Sequence, residues 1–416
     1  MQLSALAFPL ALFMQAPPAP QAAPPVQRWA HQLVLLEDVE DFDAGGSSSG
    51  FCAELNVEAP VRIGLQRLGR PPRLDGRPAE VEWLRGWYLS PPLTAEGGFE
   101  QALLSWNVEC PPETGVCVEL RVRVASDAHW SPWLYLGDWG SPVPPPMCVD
   151  LQEEHLAKSS LDGPSEPLSA SQVGGPRSKR VAFDGGAVDV DVFKSEQRWA
   201  QAQFRISVDC SENARDQRVR VRRVSVCFSR KTDAPAPQFV LPDAARRRLA
   251  TPFRSQRTER PEIAGRICSP TSIAMLLEHR GLRVDTLAAA ERIYDTAHDI
   301  YGNWTRAIQG AYSFGAPGYL ARFSDWNEVA ALIAQGTPIA ISIAAKEGEL
   351  DGAPYPKTSG HLLVLCGFDE RGDVFVNDPA AGTPELGQLT YRREQLERVW
   401  MARGGTSYVL LAPESK

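Results

Sequence analysis

Runs in which apolar residues alternate with charged ones dominate the first half of the chain. The clearest is Val118-Glu-Leu-Arg-Val-Arg-Val124, and Val188, Val190 and Val192 alternate with acidic residues in the same way. A period of two puts one set of side chains on an apolar core and the other set in water. Together with frequent Pro and Gly turns, this pattern predicts an all-β sandwich-type region over residues 27–230.

One of these runs changes phase. Val219 and Val221 follow one register, and Val224 and Val226 follow the other, with Arg222 at the change. An extra residue in one strand of an antiparallel pair has this effect. The sequence therefore predicts a β-bulge at residues 222–223.

A degenerate repeat with an offset of 100 residues runs through the same region. The segment Val108-Glu-Cys110 recurs as Val208-Asp-Cys210, with further matches before it. Repeats can mark duplicated units. We expect two related β-units, over residues 27–150 and 181–230. The alternative is a chance match in a β-rich sequence.

The N-terminus is apolar over residues 3–14 and rich in Pro and Ala up to residue 25. This apolar run is shorter than the roughly 20 residues of a transmembrane helix, but its length suits a secretory signal. No Lys or Arg precedes Arg28, so the usual positive segment is missing. We expect residues 1–25 to be a signal peptide with a Pro-rich leader. We therefore expect a secreted or periplasmic protein with no stable membrane span. The alternative is a disordered apolar tail.

Six of the eight cysteines precede residue 230, namely Cys52, Cys110, Cys117, Cys148, Cys210 and Cys227. An even number in an exported β-rich region predicts disulfides, with Cys110–Cys117 and Cys210–Cys227 as local candidates. The alternative is that several are small buried apolar residues. No Cys-x-x-Cys pair occurs, so we do not expect a zinc site.

The pattern changes after a stretch containing Asp233-Ala-Pro-Ala-Pro, which predicts a stiff linker over residues 231–250. Beyond it, a helix is predicted from Pro270 to His279, and Gly281 is the signal that ends it. Further helices are predicted over residues 285–298 and 325–335, and strands over 338–345 and 361–368. The turn Glu370-Arg-Gly-Asp373 should join the second strand to a returning one. Residues 251–416 therefore form an α+β domain in this interpretation.

Cys268 stands directly before the predicted helix, in Gly265-Arg-Ile-Cys268-Ser-Pro-Thr. A thiol at a helix N-terminus faces the positive end of the helix dipole, which favours the reactive thiolate. His361 opens the following apolar strand, and the hairpin after it should bring Asp378 opposite His361. A carboxylate there would orient the imidazole. A buried structural cysteine and a loop histidine are the alternatives. Cys366 lies on the opposite strand face from His361, which indicates a buried thiol.

The motifs Arg-Ser-Gln256, Cys268-Ser-Pro-Thr-Ser, Gly360-His361-Leu-Leu-Val and Val-Asn-Asp378-Pro occur in this order. In order and spacing they resemble the C39-like group of papain-like cysteine peptidases. The segment from Tyr391 to Trp400 also resembles the group's C-terminal signature. The resemblance implies that Gln256 donates to an oxyanion hole together with the Cys268 backbone N–H. It implies no cofactor and no metal.

We therefore expect a papain-like cysteine peptidase domain preceded by the all-β region, acting through Cys268, His361, Asp378 and Gln256. The expected partner is a peptide or protein substrate associated with the cell envelope. A net charge of −8 argues against a nucleic-acid partner. A non-catalytic binding protein and an acyl transferase are the alternatives.

For Trp130, Trp133 and Trp139 two roles are open: they line a sugar-binding face, or they pack in the β-region.

Overall fold

A computed structural model describes residues 27–37, 47–49, 53–55, 66–69, 81–125, 129–141, 180–257 and 260–413. The expected signal peptide over residues 1–25 lies outside the described residues. So do Cys52, Cys148 and residues 151–179, which lie between the two expected β-units.

The first region is all-β, as predicted, and its described strands form one hydrogen-bonded network in two layers. The strands are β1 (Arg28–Leu36), β2 (Ser47–Ser49), β3 (Ala53–Leu55), β4 (Gln66–Gly69), β5 (Trp83–Leu89), β6 (Leu93–Glu109), β7 (Thr114–Arg123), β8 (Leu134–Gly140), β9 (Arg180–Phe183), β10 (Gly186–Asp189), β11 (Val192–Ser211) and β12 (Val219–Thr232). One layer has the order β1-β12-β6-β11-β10-β9. The C-terminal half of β11 leaves this layer and pairs with β5 and β7, beside β8, in the other.

The core of this region is built from alternate residues of the long strands. Leu104 and Trp106 of β6 share it with Val224 of β12 and Ile206 of β11. The pairing of β6 with β12 shifts register between Val221 and Arg223. This shift confirms the β-bulge that the change of phase predicted.

The two halves of the repeat do not form separate units. The repeated segments lie in β6 and β11, which pair antiparallel with each other. In addition, β1 pairs along its whole length with β12. Strands from residues 27–150 and 181–230 therefore interleave, because β1, β5, β6 and β7 of the first segment each pair with β11 or β12 of the second.

The charged face of β7 is buried, contrary to the expectation that it lies in water. Glu119 pairs with Arg205, with 2.7 Å between Oε2 and Nη2. The Arg121 guanidinium lies 4.8 Å and 4.6 Å from the ring centres of Trp130 and Trp133. Paired charges and cation–π contacts allow these side chains to leave water.

The three tryptophans pack against guanidinium groups, and Trp130 and Trp133 are partly exposed. The Arg123 guanidinium is 4.5 Å from the Trp130 ring, and the Arg205 guanidinium is 4.4 Å from the Trp133 ring. Each of these rings thus contacts two guanidinium groups. Trp139 is buried, with the Arg292 guanidinium 4.6 Å from its ring.

The cysteine pairs predicted for this region are not formed. Cys210 lies opposite Thr114 and Leu84, whereas Cys227 lies opposite Leu103 and Leu33. Burial raises the pKa of Cys227 to about 11. Cys227 therefore fits the alternative of a small buried apolar residue.

The second region is α+β, as predicted, and its six described strands have the order β13-β18-β14-β15-β16-β17. The strands are β13 (Gly318–Arg322), β14 (Ile339–Ala345), β15 (Thr358–Phe368), β16 (Val374–Asn377), β17 (Gln388–Tyr391) and β18 (Thr406–Leu410). The helices are α1 (Pro261–Ala264), α2 (Cys268–His279), α3 (Thr286–Ile293), α4 (Trp304–Ser313), α5 (Trp326–Ala334), α6 (Pro384–Gly387) and α7 (Arg393–Val399). Among the described residues, short 3-10 helices span Glu212–Ala214 in the first region and Asp243–Ala245 and Met401–Arg403 in the second. Helix α3 ends at Ile293, five residues before the predicted end.

The helices cover both faces of this sheet. Side chains of α2 and α4 share one apolar cluster with alternate residues of the sheet, and those of α5 and α7 share the other. The last part of the predicted linker also belongs here. Ala245 and Leu249 are buried in the cluster around α5, and the Leu249 N–H donates to the Cys366 carbonyl at 2.7 Å.

The outer face of β6 packs against this second region. Leu103 is buried among residues of α2 and α4. The backbone N–H groups of Leu320 and Gly318 in β13 donate to Ser105 Oγ and Asn107 Oδ1, at 2.9 Å and 3.0 Å. Buried hydrogen bonds therefore join the two regions, in addition to the connecting chain.

Candidate active site

Helix α2 begins at Cys268, and Pro270 lies in its first turn, as predicted. No side chain caps this N-terminus. The backbone N–H groups of Ser269 and Leu362 help to lower the pKa of the Cys268 thiol. Cys268 is partly exposed, while the helix from Ser269 to Leu277 is buried. The thiol therefore lies at the partly exposed N-terminus of a buried helix.

His361 lies in β15, opposite Ile343 of β14. Its ring is buried, and Nε2–H donates to Asp378 Oδ1 at 2.8 Å. This bond leaves Nδ1 for the Cys268 thiol, and the interaction with that thiol contributes to the raised pKa of His361. The imidazole therefore lies between the thiol and the carboxylate.

Asp378 follows β16 directly and has no exposed surface. Its Oδ1 also accepts from the Ala380 N–H at 3.0 Å. Its Oδ2 accepts from the hydroxyls of Tyr355 and Tyr391, at 3.0 Å and 3.1 Å. Four donors thus surround one buried carboxylate, which is about as many as its lone pairs can accept.

The interactions among Cys268, His361 and Asp378 stabilise the charged form of each group. Burial would raise the pKa of Cys268, but the hydrogen bond and positive charge of His361 outweigh it and lower that pKa. Burial would likewise lower the pKa of His361, but its bonds to Asp378 and Cys268 raise it to about 10. Hydrogen bonds and the charge of His361 hold the pKa of Asp378 below its usual value despite burial. This arrangement favours a thiolate beside an imidazolium.

Gln256 lies beside this group, and hydrogen bonds hold both its backbone and its side chain. Its backbone N–H donates to the Pro379 carbonyl at 2.8 Å, next to Asp378. Its side-chain Nε2 donates to the Ala264 carbonyl at 2.9 Å, and its buried Oε1 has no hydrogen-bond partner among the described residues. A carbonyl only accepts, so the amide nitrogen must face Ala264, and its second hydrogen remains for a ligand.

Two residues of the site were not predicted. Tyr391 begins the segment that resembles the C39-like C-terminal signature, and that motif could have pointed to it. Tyr355 lies in Ala-Pro-Tyr-Pro between β14 and β15. No pattern in the sequence connects Tyr355 with Asp378, because the contact depends on how the loop folds over the sheet.

His279, His298 and Cys366 lie in other parts of this region. His279 Nε2 is 3.0 Å from the Gly336 carbonyl at the far end of α2. Cys366 is buried, and burial raises its pKa to about 11, which agrees with the buried thiol that strand alternation predicted. His298 Nδ1 bonds to Asp295 Oδ2 at 2.7 Å beside a cavity of about 10 Å³. That volume holds about one water molecule.

Within the described ranges, no helix is long and apolar enough to cross a membrane. In the same part of the chain, His, Cys, Asp and Glu side chains do not form any group of three or more that could hold a metal ion.

Two family models match the sequence. The model described as Peptidase_C39 like family matches residues 248–408, which include Cys268, His361 and Asp378. The model described as Peptidase C39 N-terminal domain matches residues 36–165. A comparison with curated proteins finds no match. The predicted resemblance is therefore confirmed: residues 248–408 are similar to the C39-like peptidase family, and residues 36–165 are similar to a C39 N-terminal domain.

Proposed function

We propose that the protein is a cysteine peptidase that hydrolyses a peptide or isopeptide bond through a thioester acyl-enzyme. The observation that carries the proposal is the buried hydrogen bond from His361 to Asp378, on an imidazole that lowers the pKa of Cys268. A positioned base and an orienting carboxylate are what an activated thiol nucleophile requires.

In this reaction the Cys268 thiolate attacks the carbonyl carbon of the scissile bond, and the carbonyl oxygen becomes an oxyanion. The imidazolium of His361 then donates its proton to the leaving amine as the C–N bond breaks, which leaves a thioester. Neutral His361 next takes a proton from water, whose oxygen attacks the thioester. Collapse of the second intermediate releases the acid and the thiolate, and His361 keeps the proton.

The oxyanion needs donors that are already in place. The backbone N–H of Cys268, at an uncapped helix N-terminus, supplies one. The second hydrogen of Gln256 Nε2 supplies the other in this proposal, while the first stays on the Ala264 carbonyl. Such donors act most strongly when charge develops in the transition state.

The proposed substrate is a peptide or protein of the cell envelope, met by an exported enzyme. This location is supported by the apolar, Ala- and Pro-rich residues 1–25. The net charge of −8 disfavours a nucleic-acid partner.

The first test needs no substrate. The folded protein is alkylated with iodoacetamide at several pH values between about 4 and 9, and each labelled cysteine is identified by peptide mass mapping. Cys268 should react below pH 7, and His361→Ala should shift its profile to higher pH, because the imidazolium stabilises the thiolate. Cys366, a buried thiol in the same sheet, is the internal control.

If Cys268 reacts no faster than a free thiol and His361→Ala changes nothing, the proposal is wrong and a non-catalytic binding protein is the better reading. If the pair is active, a peptide library is incubated with the wild type and with Cys268→Ala. Cleavage products that depend on Cys268 identify a hydrolase. Products joined to an added amine identify an acyl transferase.

A further inference from the structure

The carboxylate of Asp378 accepts hydrogen bonds from two tyrosines that the proposed reaction does not use. Tyr355 Oη lies 3.0 Å and Tyr391 Oη lies 3.1 Å from Asp378 Oδ2. The other oxygen, Oδ1, faces His361. The two phenols thus contact the side of the carboxylate that faces away from the imidazole.

The two hydroxyls come from independent parts of the fold. Tyr391 ends β17 and is buried. Tyr355 lies in the loop between β14 and β15, where Pro354 and Pro356 flank it and restrict its backbone. Both segments must therefore be in place before the carboxylate has its full set of donors.

Asp378 depends on these donors because its surroundings offer little other compensation. It is fully buried, and among the described residues its ion-pair partner is His361. A buried carboxylate is costly unless hydrogen bonds replace water. Neutral donors to its ionised form stabilise that form.

The phenols remain donors at any working pH. Burial and the neighbouring charge of Asp378 raise the pKa values of both Tyr355 and Tyr391 above the usual range. Neither hydroxyl therefore loses its proton while the site is active.

Tyr355 has a second contact. Its ring meets the His361 ring edge to face, with 5.0 Å between the centroids and 67° between the planes. One side chain thus touches both members of the His361–Asp378 hydrogen bond. Edge-to-face packing of this kind restrains the rotation of the imidazole.

We propose that Tyr355 and Tyr391 are positioning residues that hold Asp378 ionised and aligned, so that His361 presents Nδ1 to Cys268. The inference rests on the proposed function, since it assigns a purpose to the Cys268–His361 pair. The two tyrosines act through Asp378 and do not touch the reacting atoms.

The test compares Tyr355→Phe, Tyr391→Phe and the double variant with the wild type. Phenylalanine keeps the ring and removes only the hydroxyl. Tyr319→Phe is the matched control, because Tyr319 is a partly buried tyrosine of β13 outside the site. The readout is the pH at which Cys268 reaches half of its maximal alkylation rate.

Each single variant should shift this midpoint upward by roughly 0.5 pH unit or more, and the double variant should shift it further, because loss of a donor raises the pKa of Asp378 and weakens the ion pair. Once a substrate is known, kcat should fall about tenfold with KM unchanged. Tyr319→Phe should match the wild type.

If both Phe variants fold and their Cys268 alkylation profiles coincide with that of the wild type, the positioning role is wrong. A wild type without His361-dependent reactivity would instead overturn the proposed function itself, so the two failures differ. Circular dichroism checks folding. If Tyr391→Phe does not fold, the half-buried Tyr355→Phe decides the question alone.

Discussion

At the scale of single residues, the site is a balance between burial and hydrogen bonding. Burial disfavours charge on Cys268, His361 and Asp378, and the bonds among them reverse that effect for each group. Removing one member leaves the others buried without compensation, so effects at this site should exceed those of ordinary surface substitutions.

Asp378→Asn should separate charge from shape. The amide keeps an oxygen for the tyrosine hydroxyls but no longer carries the negative charge that raises the pKa of His361 to about 10. The imidazolium should therefore lose its proton at lower pH, and the thiolate at neutral pH should decline with it. We expect kcat to fall by about 10³-fold or more.

This prediction is measured as a kcat–pH profile, with Asp373→Asn on the adjacent turn as the control. In the wild type the active ion pair forms as pH rises through the lowered pKa of Cys268. It is lost as pH rises through the raised pKa of His361. An Asp378→Asn profile with an unchanged alkaline limit would contradict the assignment.

Gln256→Ala should affect the transition state and leave the thiol unchanged. Loss of one oxyanion donor lowers kcat by about 10²–10³-fold. The lowered pKa of Cys268 is caused mainly by His361 and backbone N–H groups, and Gln256 is neutral, so the alkylation profile should match the wild type. Steady-state kinetics and alkylation are measured on the same preparations. A shifted alkylation profile with an intact kcat would refute the oxyanion role.

At the scale of elements, residues of the β-region contact helices and strands of the C39-like domain. Asp191, in the turn between β10 and β11, accepts at Oδ2 from the Trp304 N–H at 2.6 Å. Trp304 begins α4, whose N-cap is Asn303, so a carboxylate from one region accepts from the first N–H of a helix of the other. Burial raises the pKa of Asp191 to about 6, although the N–H groups of α4 act against it.

Two substitutions at Asp191 separate the effect of its titration from the effect of its hydrogen bond to α4. Because the pKa of Asp191 rises from 3.8 in the unfolded chain to about 6, the folded protein binds the extra proton and stability falls as pH rises across that interval. Asp191→Asn keeps an acceptor for the Trp304 N–H and should remove this slope. Asp191→Ala leaves that N–H without its acceptor and should cost about 1–3 kcal/mol.

Thermal unfolding at several pH values between about 4 and 7 tests both variants. Asp189→Asn, an exposed carboxylate on the same hairpin, is the control. A slope that persists unchanged in Asp191→Asn would show that another group produces it.

At the scale of the whole molecule, the two regions share their interior. Gln309 of α4 is fully buried, and its Oε1 and Nε2 pair with the N–H and carbonyl of Val108 in β6, both at 2.8 Å. Arg322 Nη1 of β13 donates to Gln101 and Ser229 of the β-region. Contacts of this kind couple the unfolding of one region to that of the other.

We therefore expect a single cooperative unfolding transition in urea. Gln309→Ala should lower the free energy of unfolding by roughly 2–5 kcal/mol, because it leaves two buried backbone groups of β6 without partners. Tryptophan fluorescence and the labelling rate of Cys268 should report the same midpoint. Gln335→Ala, at the exposed end of α5, is the control. Two separate midpoints in the wild type would show independent regions.

Local patterns were sufficient for much of the site. A cysteine before an apolar helix, a histidine opening a strand and an aspartate after a hairpin are all readable from periodicity and turns, and family resemblance linked them. The period-two runs also predicted the all-β region and its bulge. These features depend on neighbours only a few residues away, which is the range over which periodicity carries information.

The remaining features depend on residues that are distant in sequence. The tyrosines on Asp378, the orientation of the Gln256 amide, the burial of Glu119 and the interleaving of β6 with β11 all arise from pairing between separate segments. A strand pattern states which face is apolar but not which partner covers the other face. For that reason the sequence predicted the three residues aligned for chemistry, whereas the groups that hold them in place became visible only in the folded chain.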